Sequence, residues 1–224
     1  YLWLDSSSLF NFSDVLASNV EIKFYHFHTF YYIFITFVIL WYVTDKSKKG
    51  IDIMKKIVVL RHAKSDWSKG LPDFERPLNK RGQKDAPVMG TILAAMKEVP
   101  DIIISSPAVR AKLTAKTVAK YSQYEGNIVW HEDFYYGDDE SIISELKKLP
   151  DNIESAMVVG HNDTLEILIA ELTSDGSFRL KFPTAAIAII SVDIGSWDEL
   201  KQGSGELHNL ITPKSIKKIL TELE

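Results

Sequence analysis

The sequence predicts a three-layer α/β domain, in which a mostly parallel sheet carries helices on both faces. Short runs rich in β-branched residues occur at wide spacing and are typical of buried strands: 57–60, 101–105, 128–130, 156–159 and 186–192. Helical patterns lie between these runs, as in the i, i+3, i+4, i+7 series Leu165, Leu168, Ile169 and Leu172. Strands that alternate with helices indicate parallel strands covered on both faces.

Helix boundaries follow from N-cap residues and from one proline. Ser106, Asn162 and Thr212 are good N-cap residues, so we expect helices to begin directly after them. Pro87 falls inside the helical pattern of residues 79–97, so that either one helix kinks at Pro87 or the helix restarts after Asp85.

The charge balance and the absence of cysteine limit the function classes. The 26 lysines and arginines against 30 aspartates and glutamates give a formal net charge of -4 and a pI of about 5.9, which argues against nucleic acid as a partner. The chain has no cysteine, which excludes disulfides, thiolate metal sites and a cysteine nucleophile. The six histidines are therefore the more informative residues.

Aromatic residues divide the chain into two parts. Residues 1–53 hold 14 of the 25 aromatic residues, whereas the first methionine is Met54 and all eight prolines follow it. We predict that residues 54–224 form one domain and that residues 1–53 lie outside that domain.

The N-terminal part contains an apolar run, residues 24–43, without Asp, Glu, Lys or Arg. Its 20 residues reach the length that a helix needs to cross about 30 Å of hydrocarbon, and three lysines follow it against Lys23 alone before it. Histidines and tyrosines inside the run count against a membrane span. Two interpretations stay open: a membrane anchor with the catalytic domain in the cytoplasm, or upstream sequence joined to a gene that begins at Met54 and encodes a cytoplasmic protein.

Polar residues follow three of the predicted strands. Arg61 and His62 follow the first strand, Arg110 lies in the helical turn after the second, and His161 and Asn162 follow the fourth. Ligands of parallel sheets bind at the carboxyl ends of the strands, so these side chains can converge. Two guanidinium groups, two imidazoles and helix N-termini suit a tetrahedral dianion, which predicts a phosphate site. A histidine there can also act as a nucleophile towards phosphorus.

The same residues carry a resemblance to a known family. Residues 60–65 read Leu-Arg-His-Ala-Lys-Ser, which resembles the Arg-His-Gly/Ala signature of the histidine phosphatase superfamily, whose fold is that of the phosphoglycerate mutases. Residues 73–82, 105–111 and 159–162 are similar to its small SixA-type phosphohistidine phosphatase branch. The resemblance implies that His62 is transiently phosphorylated, that Arg61, Arg110, His161 and Asn162 bind the phosphoryl group, and that neither a metal nor a cofactor takes part.

The sequence does not single out one residue as the proton donor. Many members of the superfamily use an acidic residue after the third strand, where Glu132 is the first candidate and Asp133 the second. Asp66, in the loop after His62, is a third candidate. The chain can also lack a donor, because imidazole, whose conjugate acid has a pKa near 6.5, is a good leaving group.

The function that the resemblance implies is a metal-independent phosphatase acting on phosphohistidine in proteins, such as a signalling protein. A phosphatase of small phosphoesters is the alternative, and a binding module for phosphorylated partners without turnover ranks lower.

Overall fold

The computed structural model describes residues 54–174 and 180–222, and these residues form a mixed sheet with helices on both faces. The strands are β1 (Lys55–Arg61), β2 (Ile102–Ser105), β3 (Ile128–Trp130), β4 (Ser155–Gly160), β5 (Ile187–Val192) and β6 (Gly205–Ile211). Their order in the sheet is β3-β2-β4-β1-β5-β6. Strands β1 to β4 are parallel to one another, β5 is antiparallel to β1, and β6 is antiparallel to β5. The predicted α/β fold is confirmed, and the mostly parallel sheet gains an antiparallel edge.

Two apolar clusters fill the spaces above and below the sheet. The helices are α1 (Lys80–Met96), α2 (Val109–Ser122), α3 (Asp133–Tyr136), α4 (Asp139–Leu146), α5 (Thr164–Thr173) and α6 (Pro213–Glu222). Successive side chains of a strand point to opposite faces, so Val58 and Leu60 pack with buried residues of α1 and α2, whereas Ile57 and Val59 pack with those of α4 and α5. The result is the three-layer arrangement.

Helix boundaries correct part of the sequence interpretation. α1 is one continuous helix with Pro87 inside it, and the Asn79 side chain caps it by accepting from the Gly82 N–H at 2.9 Å. Thr212 caps α6 as predicted, since its Oγ1 accepts from the Ser215 N–H. The prediction was wrong for Ser106 and Asn162, because the N-cap residues of α2 and α5 are Ala108 and Asp163.

The predicted apolar run 24–43 and the rest of residues 1–53 lie outside the described residues. Within residues 54–174 and 180–222, no helix has both the length and the hydropathy to cross a bilayer.

Candidate active site

The four parallel strands end at the same edge of the sheet, where a cavity of about 290 Å³ opens. The cavity brings together all five residues that the sequence predicts to bind or attack phosphate. Its lining consists of Arg61, His62, Lys64, Ser65, Trp67, Asp73, Arg76, Arg110, His161, Asn162 and Thr184. We call Arg61, His62, Arg110 and His161 the strand-end group.

His62 lies at the bottom of this cavity, where only 8% of its surface is exposed. Its backbone N–H donates to Gly160 O at 3.1 Å, so the strand pairing of β1 and β4 continues up to the imidazole. Nδ1 lies 2.8 Å from Ala63 O, and Arg110 Nε donates to Nε2 at 3.3 Å. A carbonyl only accepts, so Nδ1 carries the proton and Nε2 keeps its lone pair.

The charge state of His62 follows from its surroundings. Burial, together with the positive charges of Arg110, Arg61 and Arg76, lowers the pKa of His62 to about 3. The imidazole is therefore neutral at physiological pH, and an unprotonated Nε2 is what a nucleophile requires.

A glycine allows the segment after His62 to pack closely on α1. A Cβ on Gly82 would lie 2.3 Å from Lys64 O, well inside van der Waals contact. Ala63 N–H also donates to Thr114 Oγ1 of α2 at 3.0 Å. These two contacts fix the backbone around His62 against both helices.

His161 faces His62 across the cavity, with ring centroids 5.0 Å apart. Its Nε2 lies 2.8 Å from Ser106 Oγ, which also accepts from the Ala108 N–H at 3.3 Å just before α2. Burial and the neighbouring His62 and Arg110 lower the pKa of His161 to about 3, so this ring is neutral as well.

Arg61 and Asn162 are tied to one loop by a carboxylate that the sequence analysis did not identify. Arg61 Nη1 donates to Phe182 O at 2.6 Å. Glu166 Oε1 accepts from Phe182 N–H at 2.7 Å and from Asn162 Nδ2 at 2.5 Å. Glu166 therefore holds Asn162 directly and is linked to Arg61 through Phe182.

A second group lines the cavity from the connection between β1 and α1. We call Ser65, Trp67, Asp73 and Arg76 the wall of the site. Arg76 donates through Nη1 to Ser65 Oγ at 2.9 Å and through Nη2 to the Asp73 carboxylate. The sequence analysis included Asp73 and Arg76 in a family motif without assigning them a role, because the spacing of loop residues does not reveal which side chains meet.

Asp73 links the wall to the strand-end group. Its carboxylate lies 2.9 Å from Arg110 Nη2 and accepts from the Tyr135 hydroxyl at 3.0 Å, and its backbone carbonyl accepts from Arg110 Nη1 at 2.6 Å. Partial burial raises the pKa of the Asp73 carboxyl, but the hydrogen bonds from Arg76 and Tyr135 outweigh burial and hold it at about 2. Asp73 is therefore ionised at neutral pH.

The cavity lining includes none of the three predicted proton donors. Glu132 is exposed and directly precedes α3. Asp133 lies 3.8 Å from His131 Nδ1, and the Asp66 carboxylate accepts from the Ser68 N–H and hydroxyl. These three carboxylates thus lie outside the lining of the cavity that holds the predicted phosphate ligands. Within the described part of the chain, no group of three or more His, Cys, Asp or Glu side chains could hold a metal ion.

Comparison with known proteins agrees with this geometry. Residues 57–134 match the model of the histidine phosphatase superfamily, branch 1. An uncharacterised chloroplast protein of Arabidopsis thaliana is 33% identical over 185 residues, covering 75% of this chain and 83% of that protein. An uncharacterised protein of Mycobacterium leprae is 30% identical over 166 residues, covering 69% of this chain and all of that protein.

Solved structures share the fold. A candidate SixA phosphohistidine phosphatase from Agrobacterium tumefaciens superposes with a TM-score of 0.60 at 26% identity, over 71% of this chain and 98% of that one. A second candidate SixA, from Nakamurella, gives a TM-score of 0.63 at 24% identity, over 71% and 96% of the two chains. Motifs, geometry and relatives together show that the chain belongs to branch 1 of the histidine phosphatase superfamily and is a phosphatase.

Proposed function

We propose that the chain removes phosphoryl groups from phosphohistidine in proteins, and that Nε2 of His62 carries the phosphoryl group between two displacement steps. The main support is the buried, neutral imidazole of His62. Its Nδ1–H donates to Ala63 O, while its Nε2 faces the Arg110 guanidinium. The partner is a protein phosphorylated on histidine.

In the first step, Arg61, Arg110 and His161 hold the phosphoryl group while Nε2 of His62 attacks phosphorus. The bond from phosphorus to the substrate nitrogen breaks with its electron pair staying on nitrogen, so that the substrate ring, protonated on its other nitrogen, leaves as neutral imidazole on the side opposite His62. Guanidinium donors stabilise the charge on the three equatorial oxygens. In the second step, water attacks the phosphorus on His62, which releases inorganic phosphate and restores the neutral imidazole.

The protonation states in the cavity favour phosphohistidine as the substrate. Asp73 carries the only carboxyl group among the described residues that line the cavity, and its pKa of about 2 leaves it without a proton to donate at neutral pH. An alkoxide leaving group depends on a general acid, whose contribution is about 10²- to 10⁴-fold. An imidazole leaving group, whose conjugate acid has a pKa near 6.5, does not.

A phosphatase of small phosphoesters is the second candidate. Its support is the cavity volume of about 290 Å³, which is close to the roughly 300 Å³ lower limit of small-molecule sites. Because residues 54–224 leave little room for the long insertions that deepen such sites, we rank this candidate below phosphohistidine.

An activity panel tests the proposal. Release of inorganic phosphate is compared for a phosphohistidine peptide, a phosphoserine peptide and an alkyl phosphate, using wild type, His62→Ala and the control His208→Ala, which changes an exposed histidine of β6. We expect turnover of the phosphohistidine peptide, an acid-labile phosphoryl group trapped on wild type and His208→Ala, and neither in folded His62→Ala. Full activity of His62→Ala would contradict the mechanism, and preferred turnover of the alkyl phosphate would favour the second candidate.

We further propose that the domain works in the cytoplasm, on the basis of Lys46, Lys48 and Lys49, which follow the apolar run 24–43. Cell fractionation distinguishes a free protein from one retained by a membrane anchor. Recovery of the native protein with its domain outside the cytoplasm would contradict this location.

A further inference from the structure

The wall presents an exposed tryptophan beside the phosphate site. Trp67 lines the cavity, yet 70% of its surface is exposed. The Arg76 guanidinium lies 3.5 Å from the centre of the Trp67 ring. One face of the indole therefore rests on a cation, and the large exposed area belongs to the rest of the ring.

The support beneath the ring is rigid. Arg76 is only 6% exposed, and Ser65 Oγ and the Asp73 carboxylate hold its two terminal nitrogens. Hydrogen bonds within the wall thus already offset the entropy cost of fixing the Arg76 guanidinium, before any substrate binds. A pre-positioned aromatic ring at the mouth of a pocket is typical of residues that anchor a binding partner.

The direction of attack relates Trp67 to the leaving group. In-line displacement from Nε2 of His62 requires the leaving group to lie on the far side of phosphorus. His62 is 8% exposed, whereas Trp67, which lines the same cavity, is 70% exposed, so the far side of phosphorus is the solvent-exposed side of the cavity, to which Trp67 belongs. The leaving group therefore passes beside the indole.

We propose that Trp67 contacts the leaving group and selects phosphoryl donors in which phosphorus is bonded to a flat ring. The inference rests on the proposed function, in which that ring is the imidazole of phosphohistidine. Stacked and edge-to-face aromatic pairs contribute specificity beyond the area that they bury. Trp67 is thus a specificity residue, whereas the strand-end group binds the PO3 group that all candidate substrates share.

Binding of two phosphonates tests the proposal without any turnover. Calorimetry would give the affinities of phenylphosphonate and methylphosphonate for wild type, Trp67→Ala, Trp67→Phe and Trp130→Ala. Trp130 is the matched control, because it is a partly exposed tryptophan on β3 that contacts Lys112 and Lys116 and does not line the cavity. We expect the preference for the phenyl compound to fall about three- to tenfold in Trp67→Ala only.

The ratio of the two affinities separates ring recognition from support of Arg76. If Trp67 only held Arg76 in place, Trp67→Ala would weaken both phosphonates equally and the ratio would stay at the wild-type value, which would overturn the proposal. Trp67→Phe keeps a ring, so it should retain most of the preference.

Kinetics extend the test to substrates. Acetyl phosphate has a good leaving group without a ring, so Trp67→Ala should change its kcat/KM by less than about twofold, while kcat/KM for a phosphohistidine peptide falls about three- to tenfold, mainly through KM. Equal losses on both substrates would overturn the role of Trp67. A wild type that binds phenylphosphonate preferentially but does not hydrolyse the phosphohistidine peptide would reject the proposed function and keep the ring site.

Discussion

The strand-end group and the wall differ in what holds them. His62 is fixed by backbone pairing, since β1 lies between β4 and β5 and its hydrogen bonds run up to the catalytic residue. Arg76 is fixed by side-chain hydrogen bonds within an irregular connection of the chain. Sheet geometry tolerates surface substitutions, whereas a side-chain network fails when one member is lost. We therefore expect the strand-end group to determine the reaction and the wall to determine affinity and selectivity.

The two parts also differ in charge state. Burial keeps His62 and His161 neutral, with pKa values of about 3. The wall carries an ionised carboxylate, Asp73, which shares Arg110 with the strand-end group. Arg110 consequently faces a nucleophile on one side and a competing anion on the other.

The largest effect should come from Arg110. Arg110→Ala removes a donor to the phosphoryl group in the transition state, so we expect kcat/KM to fall about 10²- to 10³-fold. Glu132→Gln changes a carboxyl that does not line the cavity and should stay within about twofold of wild type with the phosphohistidine peptide. Steady-state kinetics of the two variants with an alkyl phosphate as second substrate provide the check. A large loss in Glu132→Gln on the alkyl phosphate alone would identify Glu132 as the acid after all.

A smaller effect should come from removing the charge of the wall. Asp73→Asn leaves Arg110 and Arg76 without a competing carboxylate, so inorganic phosphate should inhibit about fivefold more strongly. This factor corresponds to about 1 kcal/mol, the interaction energy of two unit charges about 4 Å apart in water. Asp66→Asn is the matched control, because Asp66 is a carboxylate of the same connection that bonds only to Ser68. Inhibition constants for phosphate measure both. Weaker inhibition in Asp73→Asn would show that Asp73 chiefly positions Arg110.

The charge states of the strand-end group also predict how stability depends on pH. Histidine has a pKa near 6.5 when unfolded, against about 3 for folded His62 and His161, so the unfolded chain binds more protons between these values. The free energy of unfolding should therefore rise with pH through this window and fall as pH drops towards 3. Denaturant titrations at several pH values from about 4 to about 7 would give the free energy of unfolding at each pH. This free energy should rise less steeply with pH in His161→Asn than in wild type. Equal slopes would mean that His161 is not kept neutral by the fold.

Sequence reasoning reached the strand-end group because a general rule places it: parallel strands end at one edge of the sheet. The sequence analysis did not predict β6, because apolar and polar residues alternate imperfectly along it and because it is an edge strand of the sheet. Position along the chain made Glu132 the first of three candidate acids. In the structure Phe134 is buried in the core and Tyr135 of the same short helix contacts His161 and Asp73, while Glu132 is exposed and does not line the cavity.

The wall was not predictable for a different reason. Its members meet across an irregular connection, and no periodicity relates Arg76 to Ser65 or to Trp67. Only coordinates show that a guanidinium supports the exposed indole.

Both the strand-end group and the wall should be complete within residues 54–224, so a shortened chain that keeps these residues should behave like wild type. Beginning the chain at Met54 keeps β1, whose Lys55 side chain is buried and donates to Asp151 O and Ile153 O. We expect cooperative unfolding and a wild-type kcat/KM, because every strand-end and wall residue lies beyond the cut. A chain beginning at Leu60 is the control: it deletes most of a strand paired on both sides and should not fold. If the chain from Met54 aggregated instead, residues 1–53 would belong to the folded domain, and mass spectrometry of the native N-terminus would show whether they remain in the mature protein.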